Sequence, residues 1–287
     1  MTDRLNDWLG EVRPRLHRYA ARMMGSAFDG EDVVQDALAK AAEALGAGAQ
    51  VAEPDAWIFR IVHNAALDAL RRRRRQEVRD SLAVSEDVST DEADRRIAVE
   101  AGLGNFLHLV PAQRSSVALI DVLGHSLAET AVILGMTVPA VKAALHRGRG
   151  RLRALAQQVE VTAVIVPAER ERLRAYADRF NAHDWDALRA LLADDVKLDL
   201  ANRSTLSGAR DVSVYFTRYA ALPDWRASVG IAEGRPALLI RKLGDETGAP
   251  VFVVLLDWRG DRIAAIRDFH FATYVMDGLN WSTIPPA

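Results

Sequence analysis

The chain has 287 residues, 49% hydrophobic and 26% charged, which fits a globular protein and excludes a mostly disordered one. It contains no cysteine, so a disulfide scaffold, a cysteine-ligated zinc site and a thiol nucleophile are excluded together. Net charge is −2, from 37 basic and 39 acidic residues, a balance that by itself argues against a nucleic-acid partner.

Residues 1–75 read as helices. Leu16, Tyr19, Ala20 and Met23 recur at helical spacing, as do Val33, Val34, Ala37, Leu38 and Ala41. GAGAQVAEP at 46–54 breaks the pattern with glycines and a proline. A third helix follows, with an apolar stripe of Trp57, Ile58, Ile61, Val62, Ala65, Leu67 and Leu70, and five consecutive arginines, Arg71, Arg72, Arg73, Arg74 and Arg75, close it. The next stretch is acidic and aperiodic and reads as a flexible linker. Helical periodicity returns from about residue 93. Within it, a short helix over 127–134 is expected to stop at Gly135, with Thr137 as the next N-cap and Pro139 in the following first turn. Helix, glycine turn and a second helix carrying Lys142, Arg147, Arg149, Arg151 and Arg153 make a helix-turn-helix pattern. The near-zero net charge is therefore a cancellation: two basic blocks separated by an acidic stretch. Arginine forks bind phosphate bidentately, so the blocks suit a polyanion, although five arginines also suit a solvated helix end.

After VTAVIVP the texture changes. Two helices, at 168–181 and 185–192, precede β-type runs VKLDL, WRASVGIA, ALLIRKL, VFVVLLDW and RIAAIRDFHF, with a helix over 212–220 between the first two. That order predicts an α+β domain with a bent antiparallel sheet packed on helices. No apolar run approaches the roughly 18 residues of a membrane span. MTDRLND lacks the order of a signal peptide, so the cytoplasm is the expected compartment.

Three segments carry a family resemblance. DGEDVVQDALAKA at 29–41 resembles the polymerase-binding helix of bacterial extracytoplasmic-function (group-four) sigma factors of the sigma-70 family. PDAWIFRIVHNAALDALRRRRR at 54–75 is similar to their promoter-melting and minus-ten-element helix. The segment LVPAQRSSVALIDVLGHSLAETAVILGMTVPAVKAALHRGRGRLRAL is similar to region four, which binds the minus-thirty-five element. The remainder resembles the SnoaL-like, nuclear-transport-factor-2-like fold, a cone of helices and bent sheet around a pocket. The organisation implied is a region-two domain at 1–78, an acidic linker at 79–98, a region-four domain at 99–158, a linker at 159–168 and a SnoaL-like regulatory domain at 169–287. The resemblance implies core RNA polymerase and promoter DNA as partners, with no enzymatic activity in the sigma domains, no catalytic residues and no cofactor. Seven scattered histidines show no ligand spacing, so no metal site is expected, and the short apolar runs leave no membrane partner expected.

Under the resemblance Asp29, Glu31, Asp32, Gln35 and Asp36 face the polymerase; by pattern alone they are a solvated acidic face. Arg60, His63, Asn64 and Asp68 share a polar face at spacings of three to four, and Arg60, His63 and Asn64 are candidates for the unpaired minus-ten strand, with Phe59 able to stack on bases and Trp57 read as core. The five arginines would contact phosphate. In the recognition helix Thr137, Pro139, Ala140, Lys142, Ala143, His146, Arg147 and Arg149 are the DNA candidates, while Val141 and Leu145 are core by spacing. The family usually carries Ser-Arg where this chain has Ala143 and Ala144, which shifts weight from base hydrogen bonds to phosphate contacts and shape.

In the C-terminal domain the candidate pocket residues are Trp185, Asp199, Asn202, Arg203, Tyr215, Trp225, Asp268, His270 and Tyr274. Asp268 and His270, two apart on an expected strand, would share a face. These polar groups equally suit a structural network. Alternatives to a sigma factor with a modulating C-terminal domain are that this domain is a small-molecule sensor, or a cyclase- or isomerase-type enzyme, fused to a DNA-binding regulator, or that the chain is an ordinary helix-turn-helix repressor. The last leaves the first seventy-five residues without a role.

Overall fold

The computed structural model describes residues 2–77, 101–156, 165–245 and 247–285. The expected acidic linker at 79–98 lies outside them, as does the 159–168 linker up to residue 164. The chain divides into two compact units, Met1–Glu160 and Val161–Ala287.

In the first unit α1 (Thr2–Met24), α2 (Ala27–Gly46) and α3 (Pro54–Glu77) pack together. Ser26 caps α2, its Oγ accepting from the Asp29 amide at 3.2 Å. α1 and α2 cross closely at Gly30, where a Cβ would stand 2.6 Å from the Ala21 backbone. Then come α4 (Leu103–Phe106), α5 (Pro111–Val117), a π-turn (Ala118–Val122), α6 (Leu127–Leu134) and α7 (Val138–Leu155). The chemistry that ends α6 and starts α7 is local. Ser126 and Glu129 form a reciprocal capping box, Gly135 is left-handed at φ 63°, and the Thr137 hydroxyl accepts from the Ala140 amide. The two helices meet at 101°, within the range of a helix-turn-helix.

The two helical groups share one core. Ala118, Leu119 and Ile133 from the second lie in the same cluster as Leu16, Tyr19, Met23, Val34, Ile58, Phe59 and Val62 from the first. A satellite core of Phe106, Leu109, Val117, Leu145, Leu152 and Leu155 seats α7 on α4 and α5.

The second unit opens with α8 (Pro167–Asn181) and α9 (Trp185–Arg189), so helix begins inside the segment expected to be linker. β1 (Leu192–Leu200), β2 (Ser204–Ser207), α10 (Ala209–Ala220), β3 (Trp225–Ala232), β4 (Arg235–Lys242), β5 (Phe252–Arg259), β6 (Arg262–Asp268) and β7 (Trp281–Thr283) complete it. The strands form one sheet in the order β2-β1-β6-β5-β4-β3-β7. The α+β class holds, but the sheet is mixed, because β1 pairs with β6 in parallel. Register breaks within β1 and at Asp257/Trp258 in β5 mark irregularities of the kind that bend strands. Among the described residues no single helix is long and apolar enough to cross a membrane.

Candidate nucleic-acid interface and C-terminal cavity

Helical spacing sorts α7 into two faces. Val141, Ala144, Leu145 and Leu152 are buried, whereas Thr137, Val138, Pro139, Ala140, Lys142, Ala143, His146 and Arg147 are exposed together. Arg149 departs from that face. Its Nε and Nη2 donate to Asp121 Oδ2 and Oδ1 at 2.9 and 2.7 Å, and the two side chains are 12% and 0% exposed. The arginine read as a DNA contact is instead held by a buried carboxylate of the π-turn.

On α3, Asn64 is exposed and Arg60 donates through Nη2 to the carbonyl of Val132 at 3.0 Å. That carbonyl is among the last four of α6, which lack partners within the helix. His63 is not on the polar face. It is buried, and with the ring proton assigned to Nε2 the Tyr19 hydroxyl donates to its Nδ1 at 2.7 Å. Burial lowers His63 to about 4 and pushes the Tyr19 hydroxyl up, so both stay neutral at pH 7. Phe59 is also buried, edge-on to Tyr19 at 6.1 Å and to His125 at 5.0 Å, and so is not presented for stacking on bases. In the arginine run Arg71 pairs with Asp68 at 3.0 Å and Arg73 with Asp29 at 3.6 Å; Arg71, Arg72, Arg74 and Arg75 are exposed.

The acidic face of α2 is smaller than its sequence implies. Asp32 and Asp36 are exposed and Asp29 and Gln35 half-buried, but Glu31 is fully buried against Arg13 and accepts from Gln35. Asp29, Asp32 and Asp36 line an open cleft of about 640 Å³ whose other wall includes Arg72 and Arg73.

In the second unit, a cavity of about 50 Å³ is lined by Leu200, Tyr215, Arg218, Tyr219, Leu222, Asp268, His270 and Phe271. Asp268 is buried. Its Oδ2 accepts from the hydroxyls of Tyr215 at 2.9 Å and Tyr219 at 2.7 Å, and its Oδ1 from the His270 amide at 2.7 Å. Burial raises the carboxyl, with the three donors opposing it, and raises both tyrosines well above their usual value. Tyr176 Oη and His270 Nδ1 are buried without a hydrogen-bond partner among the described residues.

Other expected lining residues stand elsewhere. Strand alternation puts Leu198 and Leu200 inward and turns Asp199 to the other face, where it pairs with Arg267 at 3.1 Å. Trp185 stacks on His183 and stands edge-on to Phe180. Trp225 and Phe252 stand edge-on to the His270 ring at 5.5 and 4.9 Å, Arg203 lies 4.4 Å over the Phe271 ring and Asn202 holds the Phe271 carbonyl. Tyr274, half-buried, sits on a short 3-10 turn (Thr273–Met276). His270 does join Asp268 at the cavity, through the turn after β6 rather than by strand alternation. Tyr219 is absent from the sequence-based set, though Tyr215 and Tyr219 are one helical turn apart and so share a face, a signal that could have found it. Among the described residues no group of three or more His, Asp or Glu could hold a metal ion.

Sigma-70 region 2 matches residues 9–76, Sigma-70 region 4 matches 107–152 and a SnoaL-like domain matches 173–266. The ECF RNA polymerase sigma factor SigG of Mycobacterium tuberculosis is 27% identical, over 93% of this chain and 82% of its own. SigM of the same organism, also an ECF RNA polymerase sigma factor, is 35% identical, over 49% of this chain and 71% of its own. The crystal structure of the M. tuberculosis extracytoplasmic function sigma factor SigJ aligns over 91% of this chain and 95% of its own, with 22% identity and a TM-score of 0.36. With both sigma-70 regions in order, around the α1–α3 bundle and the helix-turn-helix, this chain belongs to the extracytoplasmic-function family of RNA polymerase sigma factors and carries a SnoaL-like domain behind them.

Proposed function

We propose a division of labour along this promoter-recognising RNA polymerase sigma factor, in which residues 1–78 bind core polymerase and the minus-ten strand, 99–158 read the minus-thirty-five element, and 169–287 modulate both. The observation that carries it is the exposed face of α7, where Thr137, Pro139, Ala140 and Ala143 stand toward the helix N-terminus and Lys142, His146 and Arg147 beside and beyond them. N-terminal positions of a recognition helix reach base edges and later ones hold phosphates. Ala140 and Ala143 offer methyl contacts, and Lys142 and Arg147 supply charge. On α3, Asn64 and the exposed arginines are the minus-ten candidates, and Asp29, Asp32, Gln35 and Asp36 are the polymerase candidates. His63, Glu31 and Arg149 leave the respective sets because each is engaged inside the unit.

For the C-terminal domain a non-enzymatic role fits best. The cavity around Asp268, about 50 Å³, has room for a few waters, well short of the roughly 300 Å³ where small-molecule pockets begin. Asp268 already accepts three hydrogen bonds, so little of its basicity is open to a substrate. The place of action is the cytoplasm, with polymerase and DNA. The test is promoter-dependent initiation by the full chain with core polymerase. Wild type is expected to initiate, and Lys142→Ala and Arg147→Ala each to weaken binding and flatten the salt slope by about 1. No promoter-dependent transcript would overturn the reading. Truncation near residue 165 isolates the modulating role: unchanged transcription and polymerase affinity would remove it.

A further inference from the structure

We propose that the Asp121–Arg149 pair is a positioning device that sets the pitch of α7 for specific DNA recognition, Arg149 acting on DNA only through the helix it holds. The inference rests on the reading of α7 as the recognition helix. Two contacts one residue apart fix α7. At Gly148 a Cβ would stand 2.7 Å from Val117 Cγ2 and 3.3 Å from the Gln113 carbonyl, so the helix lies directly on α5. At Arg149 the Nε and Nη2 edge of the guanidinium is bonded to both oxygens of Asp121. Asp121 reaches them from the π-turn, where the Leu123 amide bonds to the Ala118 carbonyl at 3.1 Å, five residues back. One extra residue in a turn rotates the downstream side chains by about 100° relative to a regular helix. The irregularity therefore helps decide where this acid points.

Leverage makes the pair matter to DNA. Ala140 and Ala143 precede Arg149 by six to nine residues, about 9–14 Å along the helix axis. A tilt of about 10° at Arg149 would move Ala140 by about 2 Å, far more than a base contact tolerates. Stability alone is a poor reason for such a pair, because buried ion pairs are often matched by apolar residues of similar size, whereas their best-attested use is to fix register. Asp121 is an acid in a module that binds a polyanion, so removing it should by charge alone tighten binding.

The test compares the full chain, bound to core polymerase, on a minus-thirty-five duplex selected from a random pool by the wild type and on a scrambled duplex, across a salt titration. Circular dichroism accompanies each variant. Asp121→Asn is expected to lower the specific-to-scrambled affinity ratio about tenfold or more. Binding to the scrambled duplex should hold or tighten, with a salt slope steeper by about 1 as Arg149 is released. Arg149→Lys keeps the charge but loses the fork, and should also lower the ratio, with the slope unchanged. It carries the test if Asp121→Asn does not fold. An unchanged ratio in the folded variants overturns the proposal. So does Arg149→Ala reducing affinity equally on both duplexes with a slope shallower by about 1, the signature of a direct phosphate contact. If Arg147→Ala is also silent on both duplexes, the reading of α7 itself has failed and the positioning role falls with it.

Discussion

Arg114→Ala should loosen α4 and α5 from each other and from α1. Arg114 is 5% exposed and donates to three carbonyls: Met23, in the last turn of α1, and Leu107 and Leu109, beside α4. The Met23 and Leu109 bonds are buried and the Leu107 bond is part-buried. Stranding two buried carbonyls costs about 2 kcal/mol each and the third about 1, some 5 kcal/mol together. Against this, burial lowers the Arg114 guanidinium to about 10, a desolvation cost of about 3 kcal/mol that disappears with the side chain. The net loss is about 2 kcal/mol, a factor of about 30 in the opening equilibrium. Native-state hydrogen exchange on the full chain reads it locally: amides across α4, α5 and the π-turn should exchange about 30-fold faster, while those of the second unit hold. Arg114→Lys, charged but single-pointed, should fall between. Exchange within about twofold of wild type would mean that water replaces these bonds and that Arg114 ties nothing together.

His63 makes the first unit acid-sensitive. The unfolded chain takes up its proton near pH 6.5 and the folded one only near 4, so the stabilisation is complete above 6.5 and declines as pH falls through that window. About 3 kcal/mol is lost by pH 4. Denaturant titrations at pH 7, 5.5 and 4 should show it, and His63→Gln should flatten the acid limb; a limb as steep in the variant places the titration elsewhere. In the second unit, Tyr215→Phe and Tyr219→Phe each remove a donor to Asp268 and should cost about 1.5–3 kcal/mol. Burial already raises Asp268, and loss of a donor raises it further. The penalty therefore grows as pH rises and the carboxyl must ionise. Thermal unfolding of the full chain from pH 3 to pH 8 checks the sign, and equal losses across that whole range would refute an ionising Asp268.

What the sequence reveals here is mostly local chemistry. The capping box at Ser126 and Glu129, the left-handed Gly135 and the Thr137 cap act within a few residues of themselves, so the helix-turn-helix is readable residue by residue. Strand alternation identifies β1 and β6 but says nothing about which strands meet, and their parallel pairing is a long-range fact. The cavity is half visible in the sequence. Asp268 and His270 stand out as a polar pair, whereas Tyr219 does not although it shares a helix with Tyr215, and Asp199 looks like a lining residue although Leu198 and Leu200 require it to face away.

The corrected residues share a cause. His63 lies four residues after Phe59 and three before Ala66; Glu31 lies three after Phe28 and three before Val34; Arg149 lies four after Leu145 and three before Leu152. All these neighbours are buried, so spacing alone assigns the three polar side chains to the inner faces, while residue type points them outward. Polar side chains are kept there by partners remote in sequence: Tyr19 for His63, Arg13 for Glu31 and Asp121 for Arg149. The same distinction decides which cations are available to DNA. Arg71 and Arg73 pair with exposed or half-buried carboxylates, interactions worth about 0–1 kcal/mol that a phosphate readily replaces. Arg149 is held on two donors by a carboxylate with no exposure, and releasing it would strand a buried charge. Counting arginines in the basic blocks therefore overstates the electrostatic footprint, whereas burial of the partner acid separates cations that can be shared with DNA from those committed to the fold.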